Sequence, residues 1–121
     1  MPDERLRCLA WGQDLLRDIE RDEAVPTALR QAARGLLKTH PSPDDLHRLV
    51  QARAAALSID HATAIQAARE VFESVQRGGD GSAETLRFVL FTLRHYPART
   101  LAAAWVKGFH PSIDDWLTLD A

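Results

Sequence analysis

A single cysteine, Cys8, is all that this chain of 121 residues contains. With no partner for an internal bridge, no disulfide framework holds the fold, and a reducing compartment is the natural expectation. Long apolar runs are missing as well; none approaches the roughly 20 residues that span a bilayer. The polar start, Met-Pro-Asp-Glu-Arg, lacks the apolar stretch of a signal peptide. Neither sign of charge is in excess: the formal net charge is -2, which gives no global attraction to a polyanion and leaves room for a local basic patch. Sustained alternation of apolar and polar residues is absent, which argues against a sheet. These absences point to a soluble, cytoplasmic, all-α protein without membrane association. Its single domain, 1–121, is large enough to bury a core without metal or disulfides.

Catalytic signatures are missing too. Five histidines, His40, His47, His61, His95 and His110, form no His-x3-His pair on one helix face and have no cysteine pair beside them, so solvated or capping roles fit better than a metal site. His110, Ser112 and Asp114 lie too close in sequence to orient one another as base, nucleophile and orienting acid, and no Gly-x-Ser-x-Gly elbow is present. Gly78-Gly79-Asp80-Gly81 lacks the Lys-Ser/Thr of a phosphate loop and reads as a linker. Cys8 has Glu4 and Gly12 one helical turn away, neither a base that activates a thiolate, so it reads as a small buried or half-buried thiol. No enzyme and no cofactor is expected.

Helical periodicity fills the rest. A first helix over about 4–21, capped by Asp3, carries Leu6, Leu9, Ala10, Leu16 and Ile19 on one stripe. Pro26 opens a second, to about Thr39, with Leu29, Ala32, Ala33, Leu36 and Leu37 inward. His40-Pro41 ends it, because the residue before proline is pushed out of helical geometry. Ser42 caps a third over about 43–57, with Asp44 and Asp45 at its positive end. A fourth, about 60–77, is capped by Ser58 or Asp60 and buries Ala62, Ile65, Ala68, Phe72 and Val75. Ser82 caps a fifth, Glu84–Tyr96, whose Leu86, Phe88, Val89, Leu90, Phe91 and Leu93 make it apolar on nearly all sides. Such a helix predicts the hub of a bundle. A sixth, about 98–107, contributes Leu101, Ala104 and Trp105, and a short seventh starts within His110–Trp116.

An offset of fifty-six positions aligns Leu9 with Ile65, Leu16 with Phe72, Ile19 with Val75, His40 with Tyr96 and Pro41 with Pro97. Two readings stand. Either 1–57 and 58–121 are pseudo-repeated three-helix units, each too small to bury its own faces, or two amphipathic stretches of like length happen to fall in phase. A second echo, His40-Pro-Ser-Pro-Asp-Asp against His110-Pro-Ser-Ile-Asp-Asp, is explained by helix-stop and helix-cap chemistry alone.

The pieces Pro2-Asp3-Glu4-Arg5, Trp11 with Leu15-Leu16, Val25-Pro26 with Leu29-Arg30, and Leu36-Leu37 before His40-Pro41 resemble a group of short, uncharacterised bacterial proteins. The resemblance covers roughly the first third of the chain. Leu93-Arg94-His95-Tyr96-Pro97 looks like the same helix stop, without the Val-Pro start. The group carries no assigned chemistry, so the resemblance implies a helical fold and little more.

Two surfaces invite a function. Arg30, Arg34 and Lys38 follow one another at i, i+4, i+8, which is either a solvated face or a contact for nucleic acid or an acidic protein. Asp44-Asp45 at the start of the next helix would repel phosphates and weighs against a helix-turn-helix. Phe109, Ile113 and Trp116 gather near the C-terminus, where little chain remains to cover them, and read as core or as interface anchors. The expected function is a non-enzymatic protein-interaction module, such as a small inhibitor, adaptor or regulatory partner, docking a protein or a second copy of the chain. The alternative is a nucleic-acid-binding regulator using the basic face.

Overall fold

The computed structural model describes residues 2–51 and 58–107. The short final helix expected from the sequence and the candidate anchors Phe109, Ile113 and Trp116 lie outside the described residues, as do His110, Ser112 and Asp114. Within the described residues the chain forms six helices: α1 Pro2–Arg21, α2 Thr27–Leu36, α3 Pro43–Gln51, α4 Ile59–Gly78, α5 Ala83–Leu93 and α6 Arg99–Val106. No strand occurs among them, and no helix is long and apolar enough to cross a membrane.

Local chemistry sets these limits. The Ser42 hydroxyl accepts the Asp45 N–H at 3.1 Å while the Asp45 carboxylate accepts the Ser42 N–H at 2.9 Å, a reciprocal cap that satisfies two orphan donors. Ser58 accepts the His61 N–H at 3.2 Å, which settles the cap of α4 on Ser58. At its other end Gly79 sits at φ 63° and returns its N–H to the Val75 carbonyl at 2.9 Å; only a residue without a Cβ takes that conformation freely. Ser82 caps α5 through the Thr85 N–H at 3.2 Å. α1 starts at Pro2, so Asp3 falls inside its first turn rather than before it.

α2 stops at Leu36, short of the expected Thr39, and α5 stops at Leu93, short of Tyr96. In each case the chain tightens into one closing turn. Thr39 and His40 donate to the Leu36 carbonyl at 3.1 and 2.8 Å; His95 and Tyr96 donate to the Thr92 carbonyl at 3.2 and 3.0 Å. The following prolines force the exit, and Pro41 and Pro97 are both fully buried.

The helices of the second half start where those of the first do, displaced along the chain: Ile59 lies 57 residues after Pro2, Ala83 56 after Thr27, and Arg99 56 after Pro43. Packing follows the same pairing. α1 touches α2, α3 and α5, whereas α4 touches α5, α6 and α2. The centre is therefore shared by α1 and α4, which corrects the expectation that α5 is the hub. Leu90 and Phe91 on α5 remain 50% and 48% exposed. An apolar helix surface does not guarantee cover: among the described helices α5 packs chiefly on α1 and α4, and Leu90 and Phe91 lie on a face that these two leave half open. α4 holds the centre with Ala62, Ala64, Ile65, Ala68, Val71, Phe72 and Val75 buried. Its alanines bring neighbouring backbones close on several sides, and Phe72, Leu9, Leu15, Leu16 and Ile65 fill the space between.

Candidate functional site

The largest buried polar group lies where the two closing turns meet. His40 and Tyr96 are 3% and 4% exposed, and His40 Nε2 lies 2.7 Å from the Tyr96 hydroxyl. His40 Nδ1 lies 3.1 Å from the Pro41 carbonyl, which can only accept. Nδ1 therefore carries the proton, Nε2 accepts, and the Tyr96 O–H donates. Burial pushes the His40 pKa down to about 4 and raises that of Tyr96 well above its usual value. This corrects the expectation of a solvated or capping histidine. Gly12 sits directly above the pair: a Cβ there would stand 2.7 Å from Tyr96 Cε1 and 3.1 Å from His40 Nε2. The Phe72 ring meets Tyr96 edge-on at 5.3 Å.

Cys8 and Arg69 border this centre. The Cys8 thiol is fully buried and donates to the Thr92 carbonyl at 3.0 Å; burial above all pushes its pKa up to about 12. At neutral pH it is a packed thiol and not a nucleophile. Arg69 Nη1 donates to the Tyr96 and Pro97 carbonyls at 3.3 and 3.0 Å, and Glu73 joins Arg69 to Arg99, the latter at 2.7 Å. These groups tie the end of α5 and the start of α6 to α4. The His40–Tyr96 and Cys8–Thr92 bonds are buried, the Arg69 bonds are partly buried, and the Arg99–Glu73 pair lies at the surface.

The other histidines stand apart from it. His47 and His95 are exposed, and His61 Nε2 lies 3.6 Å from an Asp45 oxygen. Among the described residues no group of three or more His, Cys, Asp or Glu is placed to hold a metal.

The basic face of α2 is divided by its own surroundings. Arg30 Nε donates to the Glu20 carbonyl at 3.1 Å, and Arg34 Nε lies 3.8 Å from the Glu20 carboxylate. Lys38 falls beyond the end of α2, in the closing turn, and is exposed. Two of the three charges thus lean toward α1, and the third has left the helix.

A surface whose apolar pattern predicts cover by neighbouring helices is open instead. Leu90 and Phe91 stand out from α5, and the Phe91 ring meets Trp11 of α1 at 5.2 Å. Arg87 and Arg94, both exposed, lie one turn to either side of Phe91. Between α2 and α4 lies an open, shallow groove of about 480 Å³ lined by Leu29, Ala32, Gly35, Leu36, Ala67 and Val71 among others. The signal for the open face was present in the sequence: a helix with more apolar surface than two neighbours can cover.

Comparison of the chain with known protein families, curated proteins and solved structures finds no match.

Proposed function

We propose that this chain is a non-enzymatic protein-interaction module that docks a partner through a helix surface, in the manner of a small inhibitor, adaptor or regulatory partner. The observation that carries this reading is the exposed Leu90–Phe91 step of α5, backed by Trp11 and flanked by Arg87 and Arg94. Aromatic residues and arginine dominate the energetics of interfaces, and charges at the rim steer the encounter. The complementary partner presents an apolar recess with acidic charge at its rim. Phe109, Ile113 and Trp116 belong to the proposal as further anchors.

The nucleic-acid reading ranks second: the Glu20 carboxylate stands 3.8 Å from Arg34, Arg30 Nε is turned to the Glu20 carbonyl, and Lys38 lies beyond the end of α2, so the three cations form no continuous ridge for phosphates. The matched helix starts and the two alike closing turns support reading 1–57 and 58–121 as three-helix units packed pseudo-symmetrically.

The test is capture from a nuclease-treated lysate by the immobilised chain, run beside Phe91→Lys. A partner held by the wild type and released by Phe91→Lys, at an unchanged thermal melt, supports the reading. Capture that nuclease abolishes favours the nucleic-acid alternative. Capture unaltered by Phe91→Lys removes α5 as the docking surface.

A further inference from the structure

The α1–α5 face and the α2–α4 groove occupy corresponding places in the bundle. Both helix contacts are present, and the residues correspond at the offset that separates His40 from Tyr96. Gly35 corresponds to Phe91, Ala67 to Trp11, and Ala32 to Phe88. On one side the Trp11 and Phe91 rings meet at the crossing. On the other, two alanines and a glycine leave it open, and a Cβ added at Gly35 would meet nothing within 4 Å. The floor of the groove is apolar, from Leu29, Leu36 and Val71. Glu70 stands exposed at its rim, one turn from Ala67. Among the described residues the exposed aromatic is Phe91, with Arg87 and Arg94 one turn away on either side.

We propose that the α2–α4 groove receives the Leu90–Phe91 face of a second copy of this chain. A ring entering beside Ala67 fills the space that Trp11 and Phe91 fill on the opposite side. It also sets an arginine against Glu70, so apolar fit and charge agree. The contact is heterologous, one face against a different face, so each bound copy still offers a free groove and a free ring. Association of this kind grows into rings or filaments rather than stopping at a pair. The proposal rests on the interaction reading above and names its partner.

Two variants and their mixture test it by sedimentation velocity over a concentration series. Phe91→Lys removes the ring and keeps the groove. The double variant Gly35→Phe/Ala67→Trp fills the groove with the residues found at the corresponding positions and keeps the ring. The expected result is wild-type mass rising with concentration beyond two chains, each variant monomeric alone, and an equimolar mixture forming a dimer that grows no further. Should the double variant fail to fold by circular dichroism, Gly35→Gln at the open rim takes its place. A wild type that stays monomeric throughout overturns the proposal and leaves the groove to another stretch of the chain or an unrelated peptide. Association that Phe91→Lys abolishes but a filled groove does not also overturns it, since the ring then docks elsewhere. A filled-groove variant that still captures a lysate partner shows that the α5 reading survives without the groove.

Discussion

The His40 imidazole accepts a 2.7 Å hydrogen bond from the Tyr96 hydroxyl across the centre of the bundle, joining the ends of two helix hairpins that lie 56 residues apart in sequence. The rings lie nearly parallel, 20° between planes, directly beneath Gly12. An aligned pair of positions, one in each half, has become a contact. Such a contact is what the pseudo-symmetric packing of 1–57 and 58–121 proposed above would place at its axis.

Gly12 is the tightest point of this arrangement. Gly12→Ala places a methyl group 2.7 Å from Tyr96 Cε1, so the rings must shift, at about 1–3 kcal/mol of stability. Tyr96→Phe keeps the ring but leaves His40 Nε2 buried without a donor, and is expected to lose about 1–3 kcal/mol. Urea melts of both variants check this. If Gly12→Ala proves neutral, the turns are not held against α1 as described.

Stability should depend on pH through the same residue. The His40 pKa is lowered from 6.5 to about 4 on folding, chiefly by burial, with the neighbouring charge of His61 acting in the same direction. Between these values the unfolded chain binds a proton that the native chain refuses, so stability rises with pH from about 4 to 6.5 and falls on acidification. The full difference is on the order of 3 kcal/mol. Asp22 adds a loss at lower pH. Its carboxylate accepts the Ser82 and Ala24 N–H groups at 2.8 and 3.0 Å, which holds its pKa down to about 2, and that contribution disappears as pH falls from 3.8 toward 2. Melts at pH 7, 5.5 and 4.5 are expected to fall in that order for the wild type, with a flatter profile for His40→Phe. Equal slopes in the two proteins would assign the acid sensitivity elsewhere.

Thr92 offers a gain rather than a loss. It is fully buried, and its hydroxyl oxygen has no hydrogen-bond partner among the described residues. Its carbonyl, which accepts from Cys8, His95 and Tyr96, does not depend on the side chain. Thr92→Val keeps the shape and removes the unsatisfied group, so it is expected to raise stability by about 1 kcal/mol. A melt below that of the wild type would show that the hydroxyl is bonded after all.

Much of the architecture was legible in the sequence because its signals are local. Ser42, Ser58 and Ser82 announce three helix starts, and Pro41 and Pro97 announce two stops. What local signals miss is which helix gets covered. α4 looked ordinary because three of its seven buried residues are alanine, whose small side chain scores weakly in a hydrophobic pattern yet permits the closest packing. α5 looked central because apolar residues ring it, although burial depends on neighbours and not on composition. His40 looked like punctuation before a proline; only its alignment with Tyr96 hinted at a shared interior place. The open Gly35–Ala67 groove is invisible until its counterpart, filled by Trp11 and Phe91, is known.

The relocation of the centre from α5 to α4 is open to direct measurement. Phe72 is fully buried on α4, among the largest buried side chains, and meets Tyr96 at 5.3 Å. Removing it leaves a cavity that a close-packed interior cannot collapse, so Phe72→Ala should cost about 3–5 kcal/mol. Leu90 is half exposed on α5, so Leu90→Ala gives up only part of its contacts, creates no enclosed cavity, and should cost less than about 1 kcal/mol. Urea melts of the two variants, run at concentrations low enough to keep the chain monomeric, compare the helices without interference from association. A large loss for Leu90→Ala would restore α5 to the centre and remove the exposed face on which both docking proposals stand. Phe72→Ala as mild as a surface change would remove α4 from it.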